Sequence, residues 1–271
     1  MKSILGISGS TILSDPAQFD QLFKSAIGHI EIGEFPDEAS FYRFLTMARQ
    51  NQVSFGIHSP LIRGNSKYDL IEHVSVDPLD ARINFEQEVA LAARVGAEYI
   101  LVHFPYVKGP VRSNPQPMIE EGLRYLSELQ KKYKISIVCE PKLGHNRSSA
   151  GIHYLQQFPE EVWGTYQLSL CLDMGDYRMA AGDKWKEYIV PLLPYTTVIH
   201  VHNVSFLDDK YYWVPIHPEP NTKEGSFDMK SMIEILAEKK GRYFIMEHTP
   251  HSRPSEAYVV EGMEWLHNLI E

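Results

Sequence analysis

Seven short apolar runs in this chain each end on, or contain near their end, a side chain that could bind a metal or move a proton. In order they are Glu31, His58, His103, Glu140, Asp173, His200 and Glu247. Taken singly, each has an ordinary reading. A histidine at a strand end is commonly a hydrogen-bonded structural residue, and a glutamate there is commonly an ion-pair partner. Asp173, in "LDMGD", has the look of a turn or cap residue. Taken together, three imidazoles and four carboxylates meeting in one pocket would repel each other unless a cation neutralised them. A mixed imidazole and carboxylate set suits Zn²⁺, Mn²⁺, Fe²⁺ or Co²⁺ better than Ca²⁺. The pattern therefore points to a divalent transition-metal centre, provided that the chain brings these positions to one place.

The elements that would do so recur with an architectural period. Eight β-rich runs start at Ser3, His29, Val53, Tyr99, Ile135, Leu168, Thr197 and Tyr243, and stretches of helical period lie between them. "DPLDARINFEQEVALAARVG" opens on Asp77 as an N-cap with Pro78 in the first turn, and closes on Gly96. A second helix reads from Ser226 to Gly241, and a last one from Pro254 to Ile270. Parallel strands follow from this alternation, because each crossover needs a connection of helical length. Eight repeats in 271 residues predict a single α/β domain spanning residues 1–271, a (β/α)8 TIM barrel with its active site at the C-terminal ends of the strands. A doubly wound sheet would carry a glycine-rich dinucleotide loop after its first strand, and "GISGST" does not match one. Two-residue alternation places Ser54, Gly56 and His58 on one face, and likewise Val138 with Glu140, Cys171 with Asp173, Val198 with His200 and His202, and Ile245 with Glu247. The polar ends of the runs should converge.

Composition narrows the partners. A hydrophobic content of 44% supports a sizeable core, and a formal net charge of −9 disfavours a sequence-independent grip on nucleic acid. Cys139 and Cys171 lie in apolar runs, as expected of reduced thiols in a cytoplasmic protein. No segment reads as a signal peptide or a membrane span. A homo-oligomer is left open.

The ordered set of strand-end segments resembles the xylose-isomerase-like barrel superfamily, which includes sugar and sugar-phosphate isomerases and epimerases and endonuclease IV. "IHSPLIRGN", "LVHFPYVKG", "VCEPKLG", "CLDMGDYRMAAGD", "VIHVHNV" and "IMEHTP" carry the resemblance, which covers nearly the whole chain. It implies that Glu140, Asp173, His200 and Glu247 hold one metal, and that His58 and His103 hold another with Glu140 as the bridge. One or two divalent ions per chain follow. The endonuclease-type third position is weakened: Asp176 stands where a histidine is usual, and of the later Asp-x-His pair only His217 is kept, Pro215 replacing the acid. Both strand-7 histidines point the same way; His200 fits the spacing better, with His202 as the fallback.

Two mechanisms fit such a site. In an isomerase or epimerase acting on a sugar or sugar phosphate, a metal polarises the carbonyl and stabilises the enediolate while Glu140 and Glu247 exchange the proton. In a two-metal phosphoesterase, His58, His103 and Glu140 serve the nucleophile, and Asp173, His200 and Glu247 the second ion. A barrel that binds a metal or ligand without turnover is a third reading. Isomerase or epimerase is favoured because it needs only the four-ligand set. Glu31, Arg63, Lys142, Arg147 and Arg178 are candidate substrate contacts, the basic residues for a phosphate. Tyr211, Tyr212 and Trp213 are candidate stacking surfaces for a sugar. A small molecule is expected, not a duplex.

Overall fold

The computed structural model describes residues 2–24, 28–107, 114–142, 161–207, 210–220 and 225–271. Eight parallel strands close into a barrel: β1 (Ile4–Ser8), β2 (His29–Phe35), β3 (Ser54–Ile62), β4 (Tyr99–His103), β5 (Ser136–Glu140), β6 (Ser169–Asp173), β7 (Thr196–Val201) and β10 (Tyr243–Met246). The eight strands coincide with the eight β-rich runs. β8 (Asn203–Leu207) and β9 (Lys210–Val214) form a separate antiparallel hairpin that leaves the barrel directly after β7. Alternation alone did not reveal it, because no glycine or proline marks the break between Val201 and Val204.

Helices α1 (Phe19–Lys24), α2 (Glu38–Asn51), α3 (Pro78–Val95), α4 (Gln116–Tyr133), α5 (Glu161–Tyr166), α6 (Met174–Ala181), α7 (Trp185–Ile189), α8 (Lys230–Ala237) and α9 (Glu256–Ile270) connect the strands. Their ends follow the expected chemistry. The Asp77 carboxylate accepts from Leu79 N, Pro78 fills the first turn, and Gly96 closes α3 at φ 82°. Ser255 caps α9 through Tyr258 N, so that helix begins two residues later than Pro254. α8 is shorter than its sequence pattern. Its first turn opens at Lys230, whose N–H bonds the Asp228 carboxylate, not at Ser226.

Two apolar layers fix the strand ends. Between barrel and helices lies the main core, in which Phe19, Phe35, Phe41 and Phe44 pack edge to face under α1 and α2. Inside the barrel a smaller cluster of Tyr99, Leu101, Val138, Cys171, Val198 and Ile245 fills the lower half. His29 plugs the bottom between Tyr99 and Tyr243, and burial lowers it to about 4, so it is neutral. These inward residues share parity with the polar groups above them. Register completes the arrangement: His103 pairs with Glu140, Asp173 with His200, and His58 with Gly33. At Gly33 a Cβ would stand 1.7 Å from the His58 carbonyl oxygen, so glycine is what lets β2 and β3 approach there.

Within the long β3–α3 connection, Asp69 gathers the most hydrogen bonds. Asp69 Oδ1 accepts from the backbone of Val74, Ser75 and Val76 at 2.7, 2.6 and 3.0 Å, and Oδ2 from the hydroxyls of Ser66 and Ser75. Partial burial opposes ionisation, but these donors prevail and hold the carboxyl at about 2. Its stabilisation is present above the ordinary carboxyl value of 3.8 and is lost as the pH falls towards 2. Asp69→Ala should lower stability by about 1–3 kcal/mol at pH 7. Denaturant unfolding of wild type and variant at pH 7 and pH 3 checks this: the gap should narrow at pH 3, and an equal gap at both values would contradict it.

Candidate metal centre

The barrel's C-terminal end carries a cavity of about 340 Å³. That is at the small end of the range for ligand pockets, roughly 300–1,000 Å³. Its floor and walls include His58, His103, Lys142, Asp173, Asp176 and Glu247, with Ser8, Ser10 and Thr249 along one side. Arg63, Lys67, Tyr68, Tyr211 and Trp213 complete it toward the mouth.

Donor atoms of Glu140, Asp173, His200 and Glu247 all lie within 4.8 Å of one another, as do those of His58, His103 and Glu140. Glu140 belongs to both sets. Its Oε1 is 3.4 Å from His200 Nδ1, and its Oε2 is 3.2 Å from His103 Nε2 and 3.6 Å from His58 Nε2. The decisive detail is His200. Its Nε2 is 2.8 Å from Glu31 Oε1, and Glu31 also accepts from the Tyr99 hydroxyl at 2.8 Å. A carboxylate only accepts, so the Nε2 proton is committed to Glu31. Nδ1 is left facing Glu247 Oε2 at 2.7 Å. A lone pair among carboxylate oxygens calls for a positive centre between them, either a second ring proton or a metal ion. Three carboxylates and one imidazole fit a divalent transition ion, and Glu31 has the place of the outer carboxylate that orients a ligating histidine.

The protonation states are mixed. Burial opposes charge on His200, but Cys171 and the carboxylates of Glu247, Glu31 and Glu140 raise it well above the ordinary imidazole value. An ion bound there would have to displace its second ring proton. Burial resists ionisation of Glu140, but the Lys142 ammonium and then His200 and His103 hold it well below the usual carboxylate range. Burial pushes His103 well below the ordinary imidazole value, leaving it neutral. Burial acts the same way on His58, but hydrogen bonding to Glu140 and the charges of Glu31 and Glu247 outweigh it and raise that ring. Asp176 is raised to about 7, first by burial and then by the neighbouring Asp173 charge. A further grouping sets Cys171 beside Glu140 and His200, but burial pushes its thiol up and keeps it protonated.

Asp173 is both turn residue and candidate ligand. Its Oδ1 caps α6 by accepting from Asp176 N at 2.9 Å, and the same oxygen lies 2.8 Å from His202 Nε2. His202 thus stands behind Asp173, against the Trp213 ring, whereas His200 stands among the carboxylates. Gly175 makes room for this: a Cβ there would lie 2.2 Å from His202 Cε1.

The other sequence-level candidates are placed differently. Glu31, fully buried beneath His200, does not line the cavity, yet it groups with His58, His200 and Glu247 within 4.8 Å. Arg63 lines the cavity while its guanidinium donates to the Leu13 carbonyl. Lys142 turns inward onto three carboxylates. Arg178 lies over the Phe227 ring and donates to the Gly182 carbonyl, away from the cavity. His217 bonds Glu261 and stacks on Tyr258, so it joins no metal grouping among the described residues. Arg147 lies outside the described residues. Of the aromatics, Tyr211 and Trp213 line the cavity; Tyr212 alternates to the other side of β9. Sequence reasoning passed over Lys67 and Tyr68. Tyr68 stacks on Tyr106 and His103, and Lys67 pairs with Glu34 at 3.2 Å. The only signal was their place in a long polar connection after a barrel strand.

The chain belongs to the xylose isomerase-like TIM barrel family, whose model matches residues 16–269. No curated protein matches its sequence. Among solved structures it is similar to a xylose isomerase domain containing protein from Salmonella typhimurium LT2, at 16% identity and TM-score 0.69, covering 100% of this chain and 98% of that one. It is similar to D-psicose 3-epimerase with D-tagatose from Clostridium cellulolyticum H10, at 12% identity and TM-score 0.66, over 100% of both chains. A xylose isomerase-like TIM barrel protein from Mycobacterium smegmatis, in complex with magnesium, matches at 16% identity and TM-score 0.61, over 94% of this chain and 87% of that one. Likeness at such identities establishes the fold. No helix among the described residues is long and apolar enough to cross a membrane.

Gly175→Ala should destabilise the fold by about 1–3 kcal/mol, because the added methyl must displace a buried ring. Urea unfolding measures it. A variant as stable as wild type would show that the contact between α6 and His202 is loose.

Proposed function

We propose that this protein is a divalent-metal-dependent isomerase or epimerase of a small sugar or sugar phosphate. The observation that carries the reading is the convergence of Glu140, Asp173, His200 and Glu247 within 4.8 Å at the floor of a cavity of small-molecule size. The fold shared with a D-psicose 3-epimerase supports it by analogy.

Glu140, Asp173, His200 and Glu247 would hold the ion, which would polarise a substrate carbonyl and offset the negative charge that grows as the adjacent carbon loses its proton. The remaining work falls to the chain's own groups. Glu247, with 16% of its side chain exposed against 1% for Glu140, is the member of the pair that meets substrate from the cavity and exchanges the proton. Glu140, beneath it, is the second member. Trp213 and Tyr211 offer faces to a sugar ring, and Ser8, Ser10 and Thr249 offer hydroxyls. Arg63 and Lys67 stand at the mouth, where a phosphate or other anionic group would lie. The net charge of −9 weighs against nucleic acid.

The grouping of His58, His103 and Glu140 favours one second reading, a two-metal phosphoester hydrolase acting on a small substrate. Two measurements separate the readings. Ketoses and ketose phosphates incubated in D₂O with the Mn²⁺, Co²⁺ or Zn²⁺ protein should take up deuterium at the carbon beside the carbonyl, seen by NMR. Phosphoester cleavage without such exchange would favour the hydrolase. His58→Ala should leave most isomerase or epimerase activity and abolish a two-metal hydrolysis.

Removing metal with a chelator should abolish turnover, and Mn²⁺ or Co²⁺ should restore it. Glu247→Gln should lower kcat by about 10²–10⁴-fold with the fold intact. Unchanged kcat would remove Glu247 from the reaction. Glu31→Gln should weaken metal affinity by about 10–100-fold through loss of the orienting carboxylate. Unaltered Mn²⁺ affinity, read by calorimetry, would reduce Glu31 to a packing residue.

A further inference from the structure

Strict alternation along β2 would send Glu34 outward and Phe35 inward, because Glu31 and Gly33 share the inward parity. The strand does the opposite. Phe35 packs in the outer core against Phe19, Phe41 and Phe44, and Glu34 lines the cavity. Glu34 itself makes the switch: it is left-handed, at φ 49°, where the register between β2 and β3 shifts between Gly33 and Phe35. That conformation is unfavourable for a residue with a Cβ, and such strain collects at functional sites. Leu13 and Ser14, both at φ 52°, line the same side of the cavity. The Ser14 hydroxyl donates to the Gly33 carbonyl at 2.6 Å and fastens this side to the residue before Glu34.

The positive charges on this side are already answered. Lys67 pairs with Glu34 Oε1 at 3.2 Å, and no other hydrogen bond or ion pair meets that carboxylate among the described residues. With 45% of its side chain exposed, Glu34 has an oxygen to offer a ligand. Arg63 donates to the Leu13 carbonyl at 2.9 Å. It also faces an acid: hydrogen bonds from Gln18 and Ala17, and then the charge of Arg63, hold the Asp15 carboxyl below its ordinary value. A phosphate entering here would find no unanswered charge on Arg63 or Lys67, and it would face the Glu34 carboxylate. A sugar hydroxyl would donate to that carboxylate in a charge-assisted hydrogen bond. We propose that Glu34 is a specificity-determining residue of this cavity: it accepts from hydroxyls at the far end of an unphosphorylated ketose, and its charge turns away the same sugar as a terminal phosphate ester. This rests on the isomerase or epimerase reading above and decides between the two substrate forms that it leaves open.

The test uses the full-length protein with Mn²⁺ and a panel of D-fructose, D-psicose, D-ribulose and D-xylulose, each beside its ester with phosphate on the terminal hydroxyl. Turnover is read as deuterium uptake from D₂O at the carbon beside the carbonyl. For the sugar turned over fastest, wild type should show the higher kcat/KM with the free form. Glu34→Gln keeps the shape of the side chain and removes its charge. It should raise KM for the free sugar by about 10–100-fold, leave kcat within about threefold, and lower KM for the ester. If Glu34→Gln fails to fold by circular dichroism, Glu34→Asn takes its place, since asparagine tolerates the left-handed region. A wild type whose kcat/KM is equal or higher with the ester overturns the proposal. So does an unchanged KM for the free sugar in a folded neutral variant. In both cases the isomerase or epimerase reading would still stand. Absence of exchange with every member of the panel overturns that reading and this proposal with it.

Discussion

Four carboxylates, those of Glu31, Glu140, Asp173 and Asp176, are closed off from water inside one end of this barrel, none with more than 2% of its side chain exposed. So much buried negative charge is unfavourable unless each group has a positive or hydrogen-bonding partner. The architecture of the site follows from how that demand is met. His200 answers Glu31, His202 answers Asp173, and Lys142 is shared among Glu140, Asp173 and Asp176. What remains is the space bounded by Glu140, Asp173, His200 Nδ1 and Glu247, the candidate position for a divalent ion.

This charge pattern depends on packing far from it. Phenylalanines under α1 and α2 seat those helices against the barrel wall. The aromatic plug of His29, Tyr99 and Tyr243 closes the bottom, and Tyr99 then reaches upward to Glu31. A continuous line of contacts thus runs from the apolar floor through Tyr99, Glu31 and His200 to Glu247. Each member fixes the orientation of the next, so the reactive end inherits the rigidity of the core.

Much of this was legible in the residues. Strict alternation in the strands fixed which side chains share the inward face, and the eight runs fixed the barrel, because apolar period and turn chemistry are local properties. The strand-end groups were legible as a set for the same reason. Charge partnership was not. Lys142 looks from sequence like a contact for substrate phosphate, yet its short tether after β5 turns it onto Glu140 and Asp176. Arg178 sits one helical turn from Asp173, and that turn swings it out to Phe227. Glu31 shares a face with the ligands but lies one layer lower, below His58, a depth that strand register sets and sequence does not display. The β8–β9 hairpin escaped notice because no glycine or proline separates it from β7. Asp173 is the instructive case. Its turn role does not compete with its place as a candidate ligand, since one oxygen caps α6 and the other meets the Lys142 ammonium at the site.

The central claim is that Glu140, Asp173, His200 and Glu247 enclose a single divalent ion. Crystals of the protein equilibrated with Mn²⁺, with diffraction recorded at a wavelength where manganese scatters anomalously, address it directly. The account predicts one strong anomalous peak within bonding distance of all four side chains. A peak elsewhere in the barrel, or none in crystals that show these four residues in clear density, would contradict it.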